Sequence, residues 1–159
     1  MSVAFTKESD AESVAADLPD RPIPAHPNLV TANGVAQIDA ELATARAAYA
    51  AAQASDAITT DRSAMARATR DLRYWSARRA TAQLVQGRPA DASAGFGSHI
   101  TFERENGRQQ TYAIVGDDEA DPANGSVSYV SPLARAMTGK HIGDTVTLAG
   151  QQVEIIAIG

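Results

Sequence analysis

The densest group of side chains able to do chemistry in this chain of 159 residues is Asp117, Asp118, Glu119 and Asp121. Carboxylate oxygens crowded in this way suit a hard cation such as calcium. Their spacing fits no EF-hand loop, and Asp121-Pro122 and Asn124-Gly125 are turn-forming pairs. The expected role is therefore an exposed connection between strands, with no intrinsic metal. A second group is cationic: Arg62, Arg67, Arg70, Arg73, Arg78 and Arg79, opposed within that stretch only by Asp71. Guanidinium groups a turn apart could follow a phosphate backbone without reading sequence. A solvated helix face is the competing reading, because arginine is a good helix former. His26, His99 and His141 are isolated, and no serine or threonine sits in a nucleophile motif, so no catalytic residue of the chain's own is expected. Gly95-Phe96-Gly97 lacks the lysine of a phosphate-cradling loop. With no cysteine, disulfides and thiolate zinc sites are excluded.

The elements that must position these groups follow from charge and periodicity. Residues 1–30 hold two cations and five acids, residues 31–88 eight arginines and five acids, and residues 89–159 four cations and nine acids. Only the middle is basic, which points to different partners for different surfaces. Residues 1–28 combine acids, alanine and Pro19, Pro22, Pro24 and Pro27, too little apolar surface to offset the entropy of ordering, and are expected to form a mobile tail. From Asn33, the residues Ile38, Leu42, Ala45, Tyr49 and Ala52 recur at spacings of four and three. Met65, Ala68, Leu72, Trp75 and Ala82 repeat the rhythm, with Arg79 interrupting it. Separated by turn residues between Ser55 and Asp61, the two seams predict an antiparallel coiled-coil hairpin over residues 29–88, each arm about 35 Å long at the usual helical rise.

Residues 89–97 read as a linker of small residues, and 98–159 as a domain. There His99–Arg104, Gln109–Val115, 126–130, 145–149 and Gln151–Ile158 alternate as strands, with turns at Glu105-Asn106-Gly107-Arg108 and at Gly150. Ser131, Pro132 and Gly139 supply the cap, first-turn and stop residues of one short helix, whose Leu133 and Met137 face the core and Arg135 the solvent. The fold class is α+β: a helical hairpin followed by a small antiparallel sheet domain with one short helix. No apolar run approaches the roughly 18 residues of a membrane span and the first residues carry acids, so a soluble, cytoplasmic protein is expected.

The run Ser131-Pro132-Leu133-Ala134-Arg135-Ala136-Met137-Thr138-Gly139-Lys140 is followed by Gly143-Asp144. Together with Tyr112-Ala113-Ile114-Val115-Gly116-Asp117-Asp118-Glu119-Ala120-Asp121, it resembles the carboxy-terminal domain of the Gre transcription elongation factors. The resemblance covers about Ser98 to Gly159 and, less closely, reaches back to about Leu29. It implies an FK506-binding-protein-like (FKBP-like) fold for the sheet domain, RNA polymerase as the partner, and a hairpin that enters the polymerase secondary channel. In such factors an Asp-x-x-Glu tip helps the polymerase hold a second magnesium and activate water, so any RNA cleavage belongs to the polymerase.

This chain departs from that pattern. Its hairpin looks shorter by about two heptads, one per arm, which removes about 10 Å of reach. The tip falls near Ile58-Thr59-Thr60-Asp61, where Asp61 matches the second acid by position and Ile58 replaces the first. Asp56 could substitute only through a different tip geometry. Asp56 and Asp61 are thus the candidate tip carboxylates toward polymerase-bound Mg2+. Arg62, Arg67, Arg70 and Arg73 are candidates to face nucleic acid or polymerase, nascent RNA included. Ser131, Pro132, Leu133, Ala134 and Arg135 are the candidate docking segment. The resulting expectation is a monomeric, polymerase-binding elongation regulator with weak or no stimulation of cleavage. The alternatives are an active cleavage factor, an interaction protein resembling nucleoside diphosphate kinase regulators, and a self-associating coil.

Overall fold

The structure, a computed structural model, describes residues 18–55 and 60–159, with side chains from residue 62 onward in the second range. Its contacts divide the chain into two units. One comprises residues 38–81 together with the segment ending at Pro27, and the other comprises Asn28–Gln37 and Ala82–Gly159.

The first unit is built on helices α1 (Ala32–Ala54) and α2 (Thr60–Thr81). On α1, Ile38, Leu42 and Ala45 are buried and Tyr49 and Ala52 half-buried, the face expected from their spacing. On α2, Ala68 is buried while Met65, Leu72 and Trp75 are half-buried. Asp39, early in α1, accepts from Arg79, late in α2, at 2.6 Å, and Ala52 and Gln53 share a cavity wall with Met65 and Ala66. The arms therefore run antiparallel. The second seam continues through Arg78, 1% exposed, one turn after Trp75. Stem and guanidinium are buried together at a position that a sequence pattern assigns to apolar residues, and Arg78 is not without a partner there. Arg79, the interruption, lies outside.

The expectation of a mobile tail over residues 1–28 does not hold for residues 18–27. The Arg21 guanidinium lies 3.9 Å from the Tyr74 ring centroid and 5.3 Å from that of Trp75. It also pairs with Asp71 at 3.4 Å, and Asp20 pairs with Arg73 at 3.3 Å. Cation–π and ionic contacts hold this segment to α2 where apolar periodicity is lacking.

The second unit opens with a two-stranded parallel ribbon, β1 (Leu29–Val30) with β2 (Gln83–Leu84). A five-stranded sheet follows: β3 (His99–Arg104), β4 (Gln109–Val115), β5 (Ser126–Ser128), β6 (Thr145–Leu148) and β7 (Gln151–Ile158), in the order β5-β4-β3-β7-β6. Helix α3 (Pro132–Met137) packs against it. Inward residues of every strand, among them Ile100, Phe102, Ile114, Val127, Val146, Val153 and Ile155, meet Ala134 and Met137 in one core. A bulge between Thr101 and Phe102 opposite β7 keeps both Phe102 and Ile155 on the core side.

Two expectations are corrected here. The sheet is mixed rather than antiparallel, because β4 and β5 pair in parallel, Ile114 opposite Val127. The connection 116–125, with a 3-10 turn at Pro122–Asn124 ended by Gly125 at φ 89°, carries the chain back before β5 begins. Nor are residues 89–97 a linker. Ser93 and Ala94 are buried, Ala94 N–H donates to the Lys140 carbonyl at 2.7 Å, and the Ala94 carbonyl accepts from Gly139 N–H at 2.8 Å. Small residues here allow close packing, since a Cβ on Gly95 would press into the Pro89 ring.

Candidate functional site

The acidic loop has a structural task. Glu119 accepts from Thr31 Oγ1 at 2.5 Å and from Asn33 Nδ2 at 2.9 Å, while Thr31 Oγ1 accepts from Gly34 N–H at 3.0 Å. Thr31 is the residue before α1, so this is a capping arrangement in which the carboxylate comes from a distant loop rather than from the third helical residue. That third position is Gly34, where a Cβ would come within 2.9 Å of the Glu119 carboxylate. The negative charge also faces the positive end of the helix dipole. Gly116 is equally constrained, since a Cβ there would collide with the Leu29 carbonyl. Asp117 accepts from Ser128 Oγ at 2.6 Å and Asp121 from Asn124 Nδ2 at 2.6 Å. Its carboxylates thus point to separate hydrogen-bond partners, and among the described residues no group of three or more His, Cys, Asp or Glu converges as metal ligands.

The segment Ser131–Arg135 divides between fold and surface. Ser131 Oγ accepts from Ala134 N–H at 3.2 Å, Pro132 begins α3, and Gly139 adopts φ 83° beyond its end. Ala134 and Met137 are fully buried and Leu133 packs against the core, so these three hold the domain together. Pro132 and Arg135 are exposed. Arg135 borders a cavity of about 440 Å³ with Phe96, Tyr129, Val130 and Thr138, and the Phe96 and Tyr129 rings meet edge to face at 5.7 Å. Aromatic walls beside one cation are the composition of protein-binding surfaces. Sequence reasoning missed Phe96 and Tyr129. The signal was the lone Phe between two glycines, a bulky apolar residue in an otherwise small-residue stretch.

On the basic arm, Arg62, Arg70 and Arg73 line one cavity of about 690 Å³ with Leu18, Asp20, Gln53, Met65 and Thr69. Arg67 is exposed. Arg70 Nε is buried without a hydrogen bond, 3.7 Å from Asp71 Oδ1, and Arg73 is paired with Asp20. Of the candidate tip acids, Asp56 lies outside the described residues, as does Ile58. Asp61 falls in the first turn of α2, its side chain not among those described. No helix of the described residues is long and apolar enough to cross a membrane.

Residues 89–159 match the family described as transcription elongation factor GreA/GreB, C-terminal. Among curated relatives, the elongation factor GreA of Ralstonia nicotianae is 46% identical over 72 residues, 43% of this chain and 46% of that protein. GreB of Pseudomonas aeruginosa is 41% identical over 86 residues, 52% of this chain and 51% of that protein. The chain thus spans about half the length of the curated relatives it matches. Among solved structures, GreA factor homolog 1 (Gfh1) of Thermus thermophilus aligns over 84% of this chain and 99% of its own at 17% identity, with a TM-score of 0.40. Residues 89–159, somewhat under half of the chain, are thus similar to the carboxy-terminal domain of the GreA/GreB transcription elongation factors.

Proposed function

We propose that this protein is a transcription elongation regulator that binds RNA polymerase through its carboxy-terminal domain and inserts its helical hairpin into the secondary channel. It is an accessory factor, and any RNA cleavage in the complex is done by the polymerase. The observation that carries the reading is a GreA/GreB-type domain whose helix α3 presents Arg135 beside the Phe96 and Tyr129 rings, on a chain that also holds a two-armed antiparallel hairpin. The arms have 23 and 22 residues, so the hairpin extends about 35 Å at the usual rise. With that length, and with Ile58 where the family pattern has its first tip acid, stimulation of cleavage is weak or absent. Asp61 and Asp56 remain the candidate tip carboxylates toward polymerase-bound Mg2+ on their positions in the sequence. Arg62, Arg67, Arg70 and Arg73 face the polymerase or the nascent RNA, and the protein acts as a monomer in the cytoplasm.

The test is a stalled, backtracked elongation complex with polymerase from the same source, in which binding and RNA cleavage are read together. Binding without acceleration supports the proposal, and Arg135→Ala then weakens binding while leaving unfolding unchanged. Binding with accelerated cleavage makes the protein an active cleavage factor. Absence of binding removes the polymerase reading.

A further inference from the structure

The segment Leu18–Pro27 lies on the same arm that carries the arginines, and its contacts are paired in charge. Strap acid Asp20 meets helix cation Arg73 at 3.3 Å, and strap cation Arg21 meets helix acid Asp71 at 3.4 Å. Arg21 also sits over Tyr74, itself edge to face with Trp75 at 4.9 Å. Leu18 and Asp20 form part of the wall of the cavity whose other lining includes Arg62, Arg70 and Arg73. There Arg70 Nε is buried without a hydrogen bond, its nearest carboxylate oxygen being Asp71 Oδ1 at 3.7 Å. Around these cations stand further donors, Gln53, Ser55 and Thr69, a set that suits phosphate oxygens. Asp20 and Arg73 are each about two-thirds exposed, so their pairing is weak and sensitive to salt. Proline at 19, 22, 24 and 27 limits the freedom the segment gains on release. The arrangement is a registered but displaceable cover.

We propose that residues 18–27 are an autoinhibitory strap on the arginine face of α2, closed by Arg21 on Tyr74 and Asp71, which a phosphate backbone must displace to reach Arg70 and to take Arg73 from Asp20. The proposal rests on the reading above only in taking this face as the anion-binding one. A strap closed about nine-tenths of the time lowers apparent affinity about tenfold.

The experiment measures binding of a fluorescein-labelled oligouridylate to the full chain by anisotropy at two salt concentrations. The decisive variant is Arg21→Ala. It removes a positive charge, so simple charge counting expects weaker binding, whereas release of the strap tightens it about five- to tenfold. Tyr74→Leu, which leaves charge unchanged, tightens binding in the same direction and covers the case in which Arg21→Ala fails to fold by circular dichroism. Adding Arg73→Ala to either variant reverses the gain. Equal or weaker binding by both Arg21→Ala and Tyr74→Leu, or absence of oligonucleotide binding by parent and variants alike, overturns the strap. Parent binding to the elongation complex separates the two claims. If it is retained while the variants show no gain, the strap alone fails. If it is lost while they gain, the polymerase reading alone fails.

Discussion

Replacing Glu119 with alanine removes the carboxylate that closes the first turn of α1 from 88 residues away. Two hydrogen bonds are lost, at 2.5 Å from Thr31 and 2.9 Å from Asn33. Bonds to a charged group contribute about 1.5–3 kcal/mol each, and this carboxylate is half-exposed, which places the combined loss near 2 kcal/mol. Glu119→Gln retains one acceptor but turns an amide toward the Asn33 donor, so it loses about half as much. Thr31→Ala, which removes the helix cap and the bond shared with Glu119, costs about 2 kcal/mol alone. Because the two side chains share one bond, the double variant is less destabilised than the sum by about 1 kcal/mol. Urea unfolding of the four proteins followed by far-ultraviolet circular dichroism measures the cycle. Native-state hydrogen exchange at the amides of Gly34 and Val35, which donate to Thr31 Oγ1 and the Thr31 carbonyl, localises it. Additivity of the two substitutions, or a Glu119→Ala protein within about 0.5 kcal/mol of the parent, would refute the capping argument.

Two further outcomes are expected. The β6–β7 turn joins Leu148 to Gln151 through Ala149 at φ 49° and Gly150 at φ 79°, a primed hairpin turn in which alanine is strained; Ala149→Gly stabilises the protein by about 1 kcal/mol, read as a rise in Tm of several degrees. Asp91 accepts from Ser93 Oγ at 2.7 Å and from its amide at 3.1 Å, and these bonds hold its carboxyl below the usual carboxylate range. A depressed folded-state pKa gives stability that is present above the unfolded pKa of about 4 and lost as pH falls through the folded value. The stability difference between the parent and Ser93→Ala is therefore largest above about pH 5 and shrinks on acidification; a difference independent of pH between 2 and 7 contradicts it.

The parts of the fold legible in the sequence are those whose signals are local or periodic. Ser131, Pro132 and Gly139 mark α3 within a few residues of one another, and the four-three rhythm from Ile38 to Ala52 marks the face of α1 that is buried. What escaped depends on partners far apart in the chain. Asp20 and Arg21 find Arg73 and Asp71 some 50 residues on, and Glu119 finds Thr31 with no pattern to announce it. The direction of β5 is set by how the connection 116–125 folds back, which alternation cannot report, since a strand reads the same in either sense. The glycines around Phe96 looked like spacer; at Gly97, φ is 84° and a Cβ would meet the Gly87 carbonyl at close range, so glycine is a steric requirement of a packed segment. In α3 the spacing separated the exposed Arg135 from Leu133 and Met137, which pack in the core, but gave no sign of the aromatic pair beside Arg135.

The pairing of β1 with β2 has a topological meaning. Leu29 stands opposite Gln83 and Val30 opposite Leu84, and both strands belong to the unit that contains the sheet, as does the start of α1. Residues 38–81 are therefore an insertion, entered and left at one short ribbon. An insertion of this kind can lose or gain whole heptads in matched pairs without disturbing the strands that bracket it, because each step restores the same faces at the base. Arm length is thereby separable from the sheet, and grafting a longer pair of arms between Gln37 and Ala82 would lengthen the hairpin while the strands at its base keep the same pairing.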